Sequence, residues 1–533
     1  MQDLTLCRAD SPDADMAQDW PEGLPLIEGE PISGIAGASS LQSYRAAGPL
    51  HAAHADAGAF LDGLDAHASA DFWRQDANVR AWIYDRIAPA ERIASDMDSV
   101  RLFYHAGHGR MTGEGEFIVP LGGQGPVPDA SIASHRMRLG GKSLRYLFWA
   151  ASESVAVSGG RDPRHAWSTA IDGLRMMFGL DGTAWDSPGY GAGFWRHLGL
   201  GKSFSQAWLD GAAEVAAAQT PAVLACGDTP EAARDALFHE RRFHAGRARA
   251  EWWAWRWLQP MASELRAPAP VPSATAMPAL RLRPARQDLA LIRQVMQRLD
   301  IAPGALSAEG TLHLRRDDLR LQRQADGRIL LEMLRPPRPS VAGMGLKRRA
   351  LVAQARAALR SFGFLPGEHA LLFDGIHLSL SACGRRYDSC TPAQPQLDEI
   401  VVSFRQAVEG VAFLAEDAGW LRVVLRPDGR LVRIECKLRG VASRLDGHGR
   451  EARVAPEPDQ AVNMMLAQQT AMLMRELAAR GAAPLRQKVL PGSTQIGYGL
   501  RANTARPIAR QAVEVECARG FRKRYWIQSD LGD

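Results

Sequence analysis

Two stretches decide the fold: SVRLFYHAGHG, Ser99–Gly109, and LRYLFWAASES, Leu144–Ser154. Each is a short, largely apolar run, Val100–Tyr104 in the first and Leu144–Ala151 in the second, stopped by glycines or small polar residues. Runs of this kind read as strands buried on both faces, the pattern of a parallel sheet covered by helices. In an open parallel sheet, functional groups gather at the carboxyl ends of strands. The first run delivers His105 and His108 there, and the second delivers Ser152, Glu153 and Ser154. With the two strands as neighbours, His108 and Ser152 come within reach of one another. A histidine beside a hydroxyl or thiol is the minimum for nucleophilic catalysis. Gly109 has no side chain, so its backbone N–H can approach a substrate oxyanion.

Outward from these stretches, residues 31–262 alternate between strand and helix signals. Ser33–Arg45 reads as a first strand, Phe204–Gln219 as a helix and Pro221–Gly227 as a final strand. Phe72, Val79, Trp82 and Ile83 have helical spacing, and His165–Met177 also reads as helix. The segment Arg247–Pro260 carries Trp252, Trp253, Trp255 and Trp257 and reads as a helix packing one domain on another. Before this unit, residues 1–30 are acidic and aperiodic, an N-terminal arm. After it, the Pro- and Ala-rich residues 263–284 read as a linker. Residues 285–533 change character to α+β with antiparallel strands. Arg286–Ile301 is an amphipathic helix, Leu312–Leu334 two strands around an Asp326-Gly327 turn, Glu399–Val441 alternating strands, and Ala512–Gln528 a closing strand pair.

Composition excludes several classes. Lys plus Arg is 64 against 59 for Asp plus Glu, a net charge of +5, with no basic run that would track a phosphate backbone. Nucleic acid is therefore not an expected partner. No apolar run reaches the ~18 residues of a membrane span, and the first residues carry no apolar leader, so cytoplasmic residence is the default expectation. The six cysteines form no CxxC pair and read as reduced structural thiols. His105 and His108 have HxxH spacing but no third ligand in view. Neither a metal nor another cofactor is expected.

The residues around His108 and Ser152 resemble those of caspase-like cysteine peptidases, the caspase, legumain and gingipain type. In those, one apolar strand delivers a His-Gly pair and another ends in Ala-Cys or Ser-Cys. Asp96–Gly109, Leu147–Val155, Asp172–Leu180 and Gly201–Ala212 are similar, in order and spacing, to signature segments of a bacterial caspase-like group. The resemblance covers about residues 31–240. It implies an α/β fold, a mostly parallel sheet flanked by helices, and an endopeptidase cleaving a protein or peptide precursor through a Cys-His dyad. His108 would be the base, with the N–H groups of Gly109 and residue 152 as the oxyanion site. His105 is a rival base by position. Glu114, Glu116, Glu153 and Asp186 are the candidate substrate-binding acids, favouring a basic residue at the scissile bond.

The sequence departs from the family at the nucleophile, where Ser152 replaces the expected cysteine. Two explanations compete: natural loss, giving a pseudo-peptidase that binds peptides or regulates a partner, and an inactivating Cys-to-Ser substitution. The intact strand and the retained His108-Gly109 pair favour the second. A serine hydroxyl is far less acidic than a thiol near pKa 8.5, so either way the chain is expected to be inactive. A true serine hydrolase is disfavoured, because SES lacks the glycines of a GxSxG elbow.

In the C-terminal region, Phe404, Gln406, Gly410, Val411, Asp428 and Gly429 resemble a PepSY or thermolysin-propeptide module over about 40 residues, without its expected proline. That likeness implies an inhibitory or chaperone role toward the attached enzyme. A domain recruiting substrate or a partner is the competing expectation.

Overall fold

The computed structural model describes residues 26–29, 34–44, 47–87, 96–122, 130–261, 277–334, 347–365, 370–388, 393–445, 458–480 and 486–531. Its N-terminal half is built on β1 Ala36–Ser40, β2 Phe72–Gln75, β3 Leu102–Ala106, β4 Tyr146–Ala150, β5 Met176–Leu180 and β6 Pro221–Gly227. They lie side by side as β2-β1-β3-β4-β5, all parallel, with β6 antiparallel on β5. The expected α/β class with a mostly parallel, helix-flanked sheet is what this half adopts.

Every residue of β3 and β4 is buried. Alternate side chains feed different cores. Leu102, Tyr104, Tyr146 and Phe148 join the core on one face, and Phe103, Leu147 and Trp149 the core on the other. This double burial is why the strands read as unbroken apolar runs. The first face is closed by α1 Ala53–Leu64, α2 Gly189–Leu198 and α3 Phe204–Val215. Helices α2 and α3 cross at Gly193 and Gly211, where a Cβ on Gly211 would lie 2.6 Å from the Gly193 carbonyl carbon. Only glycine permits that approach.

Three helix readings are corrected. Residues 72–83 are the edge strand β2 and two short 3₁₀ turns, not a helix. His165–Met177 holds only the last residues of a short helix, Pro163–Trp167, and the first of β5. The tryptophan-rich segment is β7, Trp252–Pro260. Trp253, Trp255 and Trp257 face one core, while Ala254 and Leu258 face the other, a period of two rather than 3.6. β7 pairs with β6 on one side and with a C-terminal strand on the other, so the segment joins the two halves as a sheet strand and not as a packed helix.

That C-terminal half adds β8 Ala279–Leu282, β9 Leu312–Arg315, β10 Leu319–Arg323, β11 Ile329–Met333, β12 Ala370–Arg385, β13 Gln396–Val408, β14 Trp420–Leu425, β15 Leu431–Lys437, β16 Val441–Leu445, β17 Thr504–Glu516 and β18 Arg522–Asp530. The main sheet runs on from β7 as β12-β13-β14-β15-β11-β10-β9. The two halves therefore share one sheet of 15 strands rather than forming separate sheets. Leu312–Leu334 makes three strands, because the charged run Arg316–Asp318 inserts a turn before the one at Asp326-Gly327. A second sheet orders β16-β8-β17, with β18 also on β17. It is covered by the helix Pro458–Ala479.

The end of the expected linker is thus strand β8, while residues 262–276 lie outside the described residues. Of the N-terminal arm, residues 26–29 are described, and Leu26 and Ile27 are buried, with Ile27 bridging Phe243. Among the described residues no helix is long and apolar enough to cross a membrane.

Candidate active site

The register of β3 on β4 sets Ala106 opposite Ala150. His108 and Ser152 each follow two residues later, so they leave the sheet at the same level. Both are buried, at 0% and 2% exposure.

His108 is fixed from three sides. Its Nε2 lies 2.8 Å from the Gly48 carbonyl oxygen. A carbonyl only accepts, so Nε2 carries the proton and Nδ1 keeps its lone pair. Nδ1 is buried without a hydrogen-bond partner. The His108 N–H donates to the Tyr44 hydroxyl at 2.9 Å, and the Tyr44 ring stands edge-on to the imidazole at 5.0 Å. Burial, assisted by the positive charge of Lys523, pushes the imidazole down to about 3, so it is neutral at physiological pH.

His105 is no rival. It lies within β3, its Nδ1 2.9 Å from both Ser39 Oγ and Tyr84 Oη. The backbone of Gly107 closes over its Nε2, where a Cβ would stand 2.8 Å away. The two histidines turn to different partners, so HxxH does not form a metal pair here.

Ser152 Oγ accepts from the Ala184 N–H at 3.0 Å and donates to the Arg522 carbonyl oxygen at 3.0 Å. Its single proton is therefore committed to the C-terminal strand, not to His108. Next to it, Glu153 is a non-glycine residue at φ 58°, a left-handed conformation that is costly away from glycine and concentrates at functional turns. Gly109 packs against the same turn. A Cβ there would lie 2.6 Å from the Phe117 ring and 3.0 Å from the Ser152 carbonyl oxygen. Gly109→Ala is expected to destabilise the chain by ~1–3 kcal/mol through overpacking, read as a lower urea midpoint.

Of the four candidate acids, the structure brings two to this point. Glu153 accepts from the Met111 N–H at 2.8 Å and lies 3.4 Å from Arg522. Asp186 accepts from the His51 and Ala52 N–H groups at 2.7 and 3.1 Å. Glu114 is exposed on a hairpin turn, and Glu116 pairs with His135 at 2.7 Å. Among the described residues neither makes a hydrogen bond or ion pair to the C-terminal strand. The sequence reading missed Gly48, Tyr44 and Ala184, and it had β18 as half of a closing strand pair without placing it on this site. Only the basic triplet Arg522-Lys523-Arg524 left a visible signal.

No described thiol is activated. Cys226, Cys383, Cys436 and Cys517 are free, and burial raises each, Cys226 up to about 12. Cys7 and Cys390 lie outside the described residues. One metal-like group occurs among the described residues, His197, Glu214 and Glu435. Lys202 and Arg328 already fill it, with Nζ 2.6 Å and Nη1 2.9 Å from Glu435.

The family described as "Domain of unknown function (DUF6345)" matches residues 38–257, which run from β1 into β7 and include His108 and Ser152 but not β18. No curated protein matches. The solved structures that match include an uncharacterised protein from Eubacterium rectale ATCC 33656, at 8% identity and a TM-score of 0.27, covering 48% of this chain and 82% of that one. A likeness this distant carries no argument about activity.

Proposed function

We propose that residues 31–262 are a caspase-like peptidase scaffold, in which a thiolate at position 152 makes a Cys-His endopeptidase of proteins or peptides. One observation supports it most. Adjacent parallel strands bring a tautomerically fixed histidine and a nucleophile-type side chain to one level, and a peptide segment lies across both with its carbonyl on Ser152 Oγ.

In the thiol form, the thiol proton moves to Nδ1 of His108 and sulfur attacks the scissile carbonyl carbon. The N–H groups of Gly109 and residue 152 take the developing oxyanion. The carbon–nitrogen bond then breaks, with the Nδ1 proton going to the leaving amine, and water releases the acyl group with His108 as base. Throughout, the Gly48 carbonyl holds Nε2–H and stabilises the imidazolium. A serine hydroxyl bonded elsewhere cannot start this sequence. This supports a second reading of the chain as it stands: a pseudo-peptidase that holds peptides without cutting them. Residues 285–533 then act as a regulatory or substrate-recruiting region. The four cysteines among the described residues are all free, which fits a reducing compartment such as the cytoplasm.

The test is Ser152→Cys added to a Trp526→Ala parent, in which the strand lying across Ser152 is loosened, both as full chains assayed by mass spectrometry of peptides released from a mixed library. New cleavage products absent from the parent are expected. Equal cleavage by both chains would remove Ser152 from the chemistry.

A further inference from the structure

We propose that the groove over Ser152 and His108 is a binding site for an extended basic peptide, and that Phe521–Trp526 is this chain's own blocking occupant of it. The proposal rests on the peptidase reading only for the chemistry at position 152.

The occupant meets the site as a substrate would. The Cys517–Phe521 turn, closed by Cys517 N–H to Phe521 O at 2.8 Å, sets the Phe521 ring 6.0 Å from the His108 ring. The next carbonyl, that of Arg522, takes the Ser152 proton. Two residues on, the backbone pairs with the loop beside the nucleophile. Arg524 N–H donates to Ala184 O at 3.0 Å, and Asp186 N–H donates to Arg524 O at 2.9 Å. The Trp185 and Trp526 rings stack at 4.6 Å, closing the far end. Main-chain pairing of this kind gives affinity, and side-chain pockets give selectivity.

The pockets here are acidic. Along β18 the side chains alternate. Lys523 points inward at 3% exposure, into a recess whose carboxylates are Asp56 and Asp186. Both are held in place. Asp56 accepts from Tyr104 Oη at 2.6 Å and Gly191 N–H at 2.9 Å, and Asp186 accepts from the two backbone amides named above. A buried ammonium is costly unless opposite charges face it, and here the two carboxylates oppose the burial that lowers the lysine. On the other face Arg522 meets Glu153 of the nucleophile turn at 3.4 Å, while Arg524 pairs with Glu514 of its own neighbouring strand β17 at 2.9 Å. An edge strand needs cover, and any loop could supply that. Cover alone does not require a carbonyl on the nucleophile, an aromatic ring on the base and a lysine in the acidic recess at once.

The experiment uses the full chain carrying Ser152→Cys and follows alkylation of the thiol at position 152 by iodoacetamide, by mass spectrometry. With β18 in place the thiol is protected. Adding Lys523→Glu, or separately Arg522→Glu, sets like charges against the recess, and alkylation is expected to speed up at least about tenfold. Trp526→Ala, which touches neither acid, is the second route to release should a charge reversal prevent folding, as judged by circular dichroism. A free peptide of residues Arg519–Gln528 should restore protection in a released variant. The same peptide with glutamate at 522, 523 and 524 should not. Fast alkylation in the Ser152→Cys chain alone, or equal protection by the acidic peptide, overturns the proposal. Release and selective protection without any peptide cleavage would uphold the groove and sink the peptidase reading instead.

Discussion

In the Ser152→Cys, Trp526→Ala chain, with the blocking strand released, His108→Ala is expected to cut peptide turnover by about 10²–10⁴-fold, the usual worth of a positioned general acid–base. The size follows from the geometry. The Gly48 carbonyl fixes the Nε2 proton, so the one free lone pair in the ring is Nδ1, and no described side chain competes for it. Removing the ring leaves the attacking thiol without a proton acceptor and the leaving amine without a donor. The loss should fall on kcat, since the ring positions protons rather than holding a side chain of the peptide. His105→Gln separates this role from a structural one. That ring is buried between Ser39 and Tyr84, so its replacement should lower stability and leave kcat of the folded fraction close to that of the same released chain with His105 intact. A His108→Ala chain retaining more than a tenth of the turnover would remove His108 from the dyad. In the closed chain the imidazole is held down to about 3 by burial and Lys523. So low a pKa makes a feeble base at neutral pH, and displacement of β18 lifts both influences together.

The site was legible because its two strands are buried on both faces. Such strands leave a local mark, an apolar run with an abrupt polar end, that needs no knowledge of the rest of the chain. The acids beside them were half legible: Glu153 follows β4 directly and Asp186 lies in the loop after β5, whereas Glu114 and Glu116 follow His108 closely in sequence but belong to a hairpin that carries them elsewhere. Gly48 left no mark at all, because the group that matters is a backbone carbonyl and any residue has one. The tryptophan segment was misread for a different reason. Four indoles in six residues satisfy several periods, and only the contrast of Ala254 and Leu258 with Trp253, Trp255 and Trp257 reveals a strand between two cores. The docking of β18 was beyond reach. Arg522 meets a residue 370 positions away, and a basic triplet in isolation reads as a solvated face. The same limit hid the shared sheet, which joins β7 to β12 across the residues read as a linker.

Glu435→Gln should destabilise the whole chain by ~3–5 kcal/mol, the cost of removing one partner from a buried ion network. The network lies between α2 and α3 of the first half and β11 and β15 of the second. Lys202 Nζ is 2.6 Å from Glu435, 2.8 Å from Asp210 and 2.8 Å from His197 Nδ1. Arg328 Nη1 is 2.7 Å from Glu214 and 2.9 Å from Glu435. His197 accepts from Lys202, so it is neutral and gives its Nε2 proton to Glu214 at 3.0 Å. None of these side chains exceeds 6% exposure. Two cations thus share Glu435, and the amide would leave both undercompensated in a site nearly closed to solvent. A lower urea midpoint with an unchanged m-value is expected, together with loss of one cooperative transition for both halves, since the network and the shared sheet tie them. Lys202→Met beside Glu435→Gln should cost less than the two losses added, with a coupling of about 1 kcal/mol or more. The pH dependence has a definite sign. Burial alone would raise the Glu435 carboxyl, but the charges of Lys202 and Arg328 bring it down to about 2. A carboxylate held below its unfolded value near 4.3 stabilises the fold above that pH and loses its contribution as pH falls toward 2. The gap between parent and Glu435→Gln should therefore be full at pH 6–7 and narrow steadily below about pH 4. A gap that stays constant to pH 3, or two separate unfolding transitions in the parent, would contradict this network as the bond between the halves.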